Sequence, residues 1–294
     1  MQKVKALSKW TSSQLMTNKN YEINFYSDKD FKAVSLHSHD FYELYFFVSG
    51  NASYIIENGH YALHSGDILM ISPQNLHQLD INDSRETYER VVLWLNPKYV
   101  KTLSSTASDL SECFALCDER KDFLLRDAEV SATVKDLLFS LYSKSNSEEF
   151  GSDIECENII RDVLLVISRY LRKSTHSVAS DGMQNRLAAS PVTKIFRYVD
   201  EHLGDDLTLD NIAENVFLNK FYIARLFKKE TNSTLHQYIL KKRLLQSKKL
   251  IENNVPIAEV CTKCGFNDYS HFFRAFKSEY GITPKQYHSL ISSP

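Results

Sequence analysis

Ile212-Ala213-Glu214-Asn215-Val216-Phe217-Leu218-Asn219 is followed eight residues later by Phe227-Lys228-Lys229-Glu230. Val260-Cys261-Thr262-Lys263-Cys264-Gly265-Phe266-Asn267 is followed nine residues later by Phe276-Lys277-Ser278-Glu279. The offset is 48 at Ala213/Cys261 and Asn219/Asn267, then 49 at Arg225/Arg274, Phe227/Phe276 and Tyr238/Tyr287. Each copy reads as helix, tight turn, helix, the outline of a helix-turn-helix reader of DNA. Two such units in one chain can present two helices to successive major grooves.

The charge distribution agrees. From Leu218 onward the chain has 13 Lys and Arg against 5 Asp and Glu; the preceding part has 22 against 32. A basic end on an acidic body points to a polyanion partner for that end, although a small helical domain with a solvated basic face gives the same count. The length of 294 residues, with 43% hydrophobic and 24% charged residues, has room for two globular domains. The five cysteines are Cys113, Cys117, Cys156, Cys261 and Cys264. An odd number, with no signal-like or membrane-spanning run, is expected of a cytoplasmic protein with reduced thiols and no membrane partner. Cys261-x-x-Cys264 lacks a second metal-binding pair and is expected to be small buried packing.

The front half alternates. Residues 1–30 are polar and irregular, with Trp10, Tyr21, Phe25 and Tyr26, and are expected to form edge strands or an arm. Strand-like runs follow at 41–48, 53–57, 67–72 and 89–95, separated by Ser49-Gly50-Asn51, Asn58-Gly59 and Ser65-Gly66-Asp67. That spacing predicts a small antiparallel sandwich or barrel.

Within it lie His37-Ser38-His39-Asp40-Phe41-Tyr42-Glu43, then Gly50, Gly66-Asp67 and Pro73-Gln74-Asn75-Leu76-His77. This arrangement resembles the cupin family of double-sheet jelly rolls. Phe31, Asn75 and Ile81 stand where the cupin pattern has Gly, Gly and Asn. The resemblance implies that His37, His39, Glu43 and His77 occupy the positions that ligate a metal in metal-bearing cupins. On strand parity residues 37, 39, 41, 43, 45 and 47 share one face, which adds Tyr45 to the candidate ligand pocket. Three imidazoles and a carboxylate suit Fe, Ni, Mn or Zn. The alternative is a polar cluster that hydrogen-bonds a small ligand, or only itself, and needs no cofactor. No further acid–base constellation accompanies it, so no enzyme activity is expected.

Residues 104–172 change to helical period. One stripe is Val130, Val134, Leu137, Leu138, Leu141 and Tyr142; a second is Ile159, Ile160, Val163, Leu164, Val166, Ile167 and Leu171. The second is wide enough to pack on the barrel and on another copy, which predicts a homodimer. The period is lost at 173–190, a Ser-containing linker. The domains are therefore expected at 1–172, a sensing and dimerisation domain, and 191–294.

Helical pattern resumes at Pro191 and is expected to stop at Gly204. Thr208 is the expected cap of the next helix and Asn219 of the first reading helix. There Ile223, Leu226 and Phe227 face the core, which leaves Lys220, Phe221, Ala224, Arg225 and Lys228 outward. Arg225 is placed to read a guanine, and Phe221 and Ala224 thymine methyls. A long helix from about Leu235 to Ile251 follows, and Gly265 makes the second turn. Asn267 or Asp268 caps the second reading helix, where Tyr269, Ser270, His271, Phe273 and Arg274 take outward or edge positions. Phe273 either touches a thymine methyl or leans back into the core.

These residues resemble the AraC/XylS family of transcriptional regulators. The match runs from about Val192 to His288 and includes Arg225-Leu226-Phe227-Lys228, Gly265-Phe266-Asn267-Asp268 and Gly281-Ile282-Thr283-Pro284-x-x-Tyr287. The resemblance implies an α+β chain: an N-terminal cupin-like (jelly-roll) β-barrel plus helices, then an all-α domain with two helix-turn-helix units. It further implies an activator that binds double-stranded DNA, engages RNA polymerase and answers to a small-molecule effector, a sugar. Two other readings stand beside it: a metal-dependent cupin enzyme with a helical accessory domain, and a structural DNA-binding factor with a silent barrel.

Overall fold

Strand β1 (Tyr21–Asp28), β2 (Val34–His37), β3 (Tyr42–Ser49), β4 (Ala52–Ile56), β5 (Gly59–Ala62), β6 (Ile68–Ile71), β7 (His77–Ile81) and β8 (Tyr88–Leu95) make the front half. A short β9 (Leu124–Leu125) joins them. The computed structural model describes residues 15–174 and 191–291. Five strands form one sheet in the order β1-β8-β3-β6-β9, four the other in the order β2-β7-β4-β5. The four strands expected from alternation are present, each bound within one residue. The stretch expected to give edge strands or an arm supplies β1, the edge of the larger sheet; Trp10 lies outside the described residues. Strands β2, β5, β7 and β9 lie outside the runs read from alternation.

Period-two geometry gives the larger sheet two unlike faces. Ile23 pairs with Leu93, Leu93 with Leu44 and Leu44 with Met70 on one face. That apolar face is covered by helices: Phe25 meets Phe139 at 5.7 Å and Tyr42 stacks on Phe114 at 4.3 Å. These belong to α3 (Ala128–Ser145) and α2 (Glu112–Arg120), which follow α1 (Pro97–Leu103). The opposite face pairs Asp28 with Tyr88, Tyr26 with Arg90 and Glu43 with Trp94. It looks towards the smaller sheet, where the Tyr45 and Tyr54 rings meet at 5.2 Å.

Helix α4 (Ser152–Ser174) buries Ile160, Val163, Leu164, Ile167 and Leu171 in the same core as Val134, Leu138 and Leu141 of α3. The expectation of continuous helical period from residue 104 needs correction. Strand β9 interrupts it, because Leu124 and Leu125 pair with Leu69 and Ile68 to extend the larger sheet. From residue 175 on, the expected linker lies outside the described residues.

The C-terminal half is a second compact unit. It contains α5 (Pro191–Glu201), α6 (Leu209–Val216), α7 (Lys220–Thr231), α8 (Leu235–Glu252), α9 (Ile257–Lys263), α10 (Tyr269–Tyr280) and α11 (Pro284–Ile291). Each start has a chemical cause. Thr208 accepts from the Asn211 amide, Asn219 from Phe221 and Tyr222, and Asp268 from Ser270 and His271. Thr234 and Gln237 form a capping box ahead of α8. Of the two caps considered for the second reading helix, Asp268 is used, so the extra residue of the second copy, Asn267, lies in the turn. Helix α5 ends at Glu201, three residues before the Gly204 expected to stop it.

Two small cores hold the unit. Phe196, Phe227 and Tyr238 form a ring triangle with centroids 5.0–5.4 Å apart around the first turn. Leu244, Ile251, Val260, Phe266, Phe272 and Phe276 fill the second. Cys261 and Cys264 are buried in it, and burial pushes the Cys264 thiol up to about 12. They take no part in any candidate metal cluster among the described residues.

Gly265 is fixed by crowding as well as by backbone. Its φ is +76°, and a Cβ there would lie 2.7 Å from the Arg243 guanidinium and 2.8 Å from the Leu203 carbonyl oxygen. Gly281 has a φ of +73° but nothing within 4 Å. Gly281→Ala is therefore expected to lower the unfolding free energy by about 1 kcal/mol, the left-handed backbone cost alone. Gly265→Ala should lower it by clearly more in the same denaturant titration.

Candidate functional sites: a two-helix reading face and a polar barrel interior

Helix α7 buries Ile223 and Phe227 and leaves Phe221, Ala224, Arg225 and Lys228 exposed on the opposite side. Among the described residues neither Arg225 nor Lys228 has an ion-pair partner, so both cations are available to an anionic ligand. Lys220 is arranged differently: its Nζ lies 2.7 Å from Asp210 Oδ1 and 5.7 Å from the Phe221 ring centroid. Helix α10 buries Phe272 and Phe276 and exposes Tyr269, Ser270, His271 and Arg274. Arg274 Nε donates to the Ser270 carbonyl at 3.2 Å, which lays the guanidinium along the helix surface. Phe273 is half-buried, its ring 6.3 Å from that of Tyr269. It leans on a neighbouring aromatic at the edge of the face instead of entering the core. The two helices thus present matching rows of aromatic and cationic side chains, the residue types that reach base edges and phosphates in a major groove.

In the barrel, Glu43 is the centre. Its residue is 4% exposed, and its carboxylate accepts from Trp94 Nε1 at 2.9 Å and contacts His39 Nε2 at 3.1 Å. The ligating atoms of His39, Glu43 and His77 all lie within 4.8 Å of one another. The ring orientations are set from behind. His39 Nδ1 is 2.9 Å from the Phe41 carbonyl and His77 Nδ1 is 2.9 Å from the Asn75 carbonyl. A carbonyl oxygen only accepts, so each Nδ1 carries a proton and Nε2 is the ring atom left for the cluster. The His39 ring also stacks on Phe41 at 3.9 Å.

His37 does not join this cluster. It ends β2, in the smaller sheet, where its Nδ1 donates to the Ser35 carbonyl at 2.9 Å. The parity argument fails for a topological reason. Residues 37 to 47 are not one strand, since the chain crosses between sheets after β2 and Glu43 lies in the other sheet. His39 reaches Glu43 across that crossing. Tyr45 does point inward, but its hydroxyl is hydrogen-bonded to that of Tyr88. It communicates with the cluster through Tyr54, whose ring stacks on His77 at 6.1 Å. Burial pushes the Tyr45 and Tyr54 phenols well above their ordinary range, Tyr54 with help from the Glu43 carboxylate. Both stay protonated as donors at neutral pH.

Sequence reasoning missed the other wall of this interior. Arg90 bonds Asp28 at 2.5 Å, and its guanidinium lies 4.4–4.6 Å from the ring centroids of Tyr26, Phe31 and Tyr88. Tyr26, Asp28, Tyr88 and Arg90, together with Asn24, Glu43 and Trp94, line one face of the larger sheet. Each residue of β1 on that face (Glu22, Asn24, Tyr26, Asp28) is partly buried and keeps some contact with solvent. The signal was present in the alternation of Tyr88, Arg90, Val92 and Trp94 along β8. The interior offers carboxylates, imidazoles, phenols, an indole and an amide, the equipment for binding a polar molecule with many hydroxyls by hydrogen bonds and ring stacking.

Two family models match the chain. One, described as an AraC-like ligand binding domain, covers residues 26–164; the other, a helix-turn-helix domain, covers residues 212–289. Together they span most of the sequence. The regulatory protein PocR of Salmonella typhimurium is 32% identical over 104 residues, 35% of this chain and 34% of PocR. The probable transcriptional regulator LumQ of Photobacterium leiognathi is 36% identical over 98 residues, 33% of this chain and 40% of LumQ. These two matches thus span between a third and two-fifths of the relatives' own length. The transcriptional activator RhaS of Escherichia coli is 21% identical over 250 residues, 85% of each chain. With an AraC-like ligand-binding domain ahead of a helix-turn-helix domain, the chain belongs to the AraC family of transcriptional regulators.

Proposed function

We propose that the protein is an effector-controlled activator that binds double-stranded DNA through α7 and α10 and a small polyhydroxylated molecule, a sugar, in its barrel. The observation that carries the reading is the contrast between the two faces of the larger sheet. A barrel kept only as scaffold has no reason to set Asp28, Glu43, Arg90 and Trp94 towards its own interior, where desolvation of polar groups is costly. RelatedRhaS carries the name of an activator, which supports activation and hence engagement of RNA polymerase. Exposed Phe150, between α3 and α4, and Ile154, on α4, support a homodimer. No helix among the described residues is long and apolar enough to cross a membrane.

The DNA reading is tested by footprinting the protein's own upstream region and measuring affinity for the protected fragment. Arg225→Ala and Arg274→Ala are each expected to weaken specific binding by about 1–3 kcal/mol. Lys228→Ala should weaken binding across all sequences and reduce the salt slope by about one. Equal loss of specific and non-specific affinity in Arg225→Ala would reject its role at a base. The same fragment, titrated with a panel of sugars, tests the effector. Unchanged affinity and transcription across the panel would favour a silent barrel.

A second reading is favoured by the donor set of His39, Glu43 and His77. Two imidazoles with Nδ1 tied to carbonyls and a carboxylate tied to an indole have the outer hydrogen bonds that orient metal ligands. These residues fit a divalent transition metal, which would supply a Lewis-acidic anchor for effector hydroxyls. Metal analysis of the purified protein is then expected to find about one equivalent, lost in His39→Ala and in His77→Ala. Substoichiometric metal in the unaltered protein would leave the cluster as a hydrogen-bonding site without cofactor, and turnover of a substrate would favour the enzyme reading instead.

A further inference from the structure

The two helix-turn-helix units share one helix and also touch away from it. Helix α8 carries Tyr238 in the ring triangle of the first core and Leu244 and Ile251 in the second. Its 18 residues span roughly 27 Å, which fixes a distance between the units. A single shared helix is one line of attachment, about which the outer elements of each unit can still tilt. A second attachment off that line removes the tilt.

Two turns supply it. The turn after α5, with Leu203, Gly204 and Asp205, belongs to the first unit; the turn between α9 and α10, with Cys264 and Gly265, belongs to the second. A Cβ on Gly204 would lie 3.1 Å from the Lys263 carbonyl oxygen, and one on Gly265 would lie 2.8 Å from the Leu203 carbonyl oxygen. Each glycine therefore faces the backbone of the other unit. Arg243, in the middle of α8, closes the joint. Its Nε donates to the Leu203 carbonyl at 3.1 Å and its Nη2 to the Asp205 carbonyl at 2.7 Å. The same Nη2 lies 2.7 Å from where a Gly265 Cβ would stand.

This guanidinium is half-buried and has no ion-pair partner among the described residues; burial pulls it below the usual arginine range. A cation drawn out of water and answered only by neutral carbonyls is costly. A planar fork of N–H donors is nevertheless the side chain that can bridge two carbonyls while lying against a glycine. The acceptors belong to the first unit and the glycine to the second, so the fork spans the joint.

Resting on the reading that α7 and α10 both enter DNA, we propose that Arg243 is a positioning residue that locks the two reading helices at one relative rotation, and so makes the protein select the spacing of its two DNA boxes. With the joint rigid, the second box is met at no further ordering cost, at one spacing only; a looser joint accepts neighbouring spacings at lower affinity. The test uses the full-length protein and three fragments built from its footprinted DNA: both boxes, the second box scrambled, and both boxes with two base pairs inserted between them. The insertion turns the second box by about 70° around the DNA axis. The unaltered protein is expected to gain at least about 100-fold from the second box and to lose most of that gain on insertion. In Arg243→Met, one-box affinity should stay within about twofold, two-box affinity should fall at least about fivefold, and the penalty of the insertion should shrink. Gly204→Ala forces the turns apart without removing the cation and should move the same readouts in the same direction. Equal losses on one-box and two-box fragments in both variants overturn the proposal, because the joint then only holds the fold. A one-box loss with a smaller salt slope in Arg243→Met overturns it by making Arg243 a phosphate contact. An unchanged insertion penalty overturns it by leaving α8 alone to fix the geometry. An unaltered protein that gains nothing from the second box fails the two-helix reading itself, a separate outcome that removes this one with it.

Discussion

A carboxylate buried between two sheets must be held by donors, and the barrel interior is arranged around that requirement at Glu43. Isolated from water, its charge costs several kcal/mol unless it is hydrogen-bonded. Trp94 supplies an indole N–H from the neighbouring strand, and His39 arrives from the chain crossing between the sheets. His39 is in turn fixed by the Phe41 carbonyl and the Phe41 ring, and His77 by the Asn75 carbonyl. The cluster therefore ties three strands and one crossing to a single polar centre. Any effector that enters exchanges hydrogen bonds with groups whose orientations are already fixed, which lowers the ordering cost of binding.

The same sheet solves its other face by a different means. Leu44, Met70, Val91 and Leu93 present an apolar surface, and α2 and α3 cover it with Phe114 and Phe139. A strand with one polar and one apolar face admits only one register, since a slip by one residue would put Glu43 and Arg90 under the helices. The fold and the site are thus specified by the same alternation.

In the C-terminal unit, repetition fixes the frame and divergence sets the use. Both reading helices begin at a side-chain cap and end in a left-handed residue, Asn232 and Gly281. Both bury a pair of residues four apart and expose an Arg. The units differ at Phe217 against Gly265, at Leu218 against the buried Phe266 and at Lys220 against Tyr269, while the buried pairs Ile223/Phe227 and Phe272/Phe276 keep their places.

Much of this was legible from residues alone. Caps, turn residues and helical period in 208–288 depend on neighbours within a few positions, so local sequence determined the two units, their cores and the outward Arg225 and Arg274. Four alternating runs determined the antiparallel character of the front half. What the sequence did not carry was where the chain changes sheets. That crossing removes His37 from the cluster, brings His39 onto Glu43 and sets Tyr45 against Tyr88, because strand parity holds only within one strand. Tertiary structure alone also brought Arg90, Asp28 and Tyr26 together from strands some sixty residues apart, and folded Lys220 back onto Asp210. Local patterns select elements; which side chains meet depends on how those elements pack, and the polar centre of the barrel is made of such meetings.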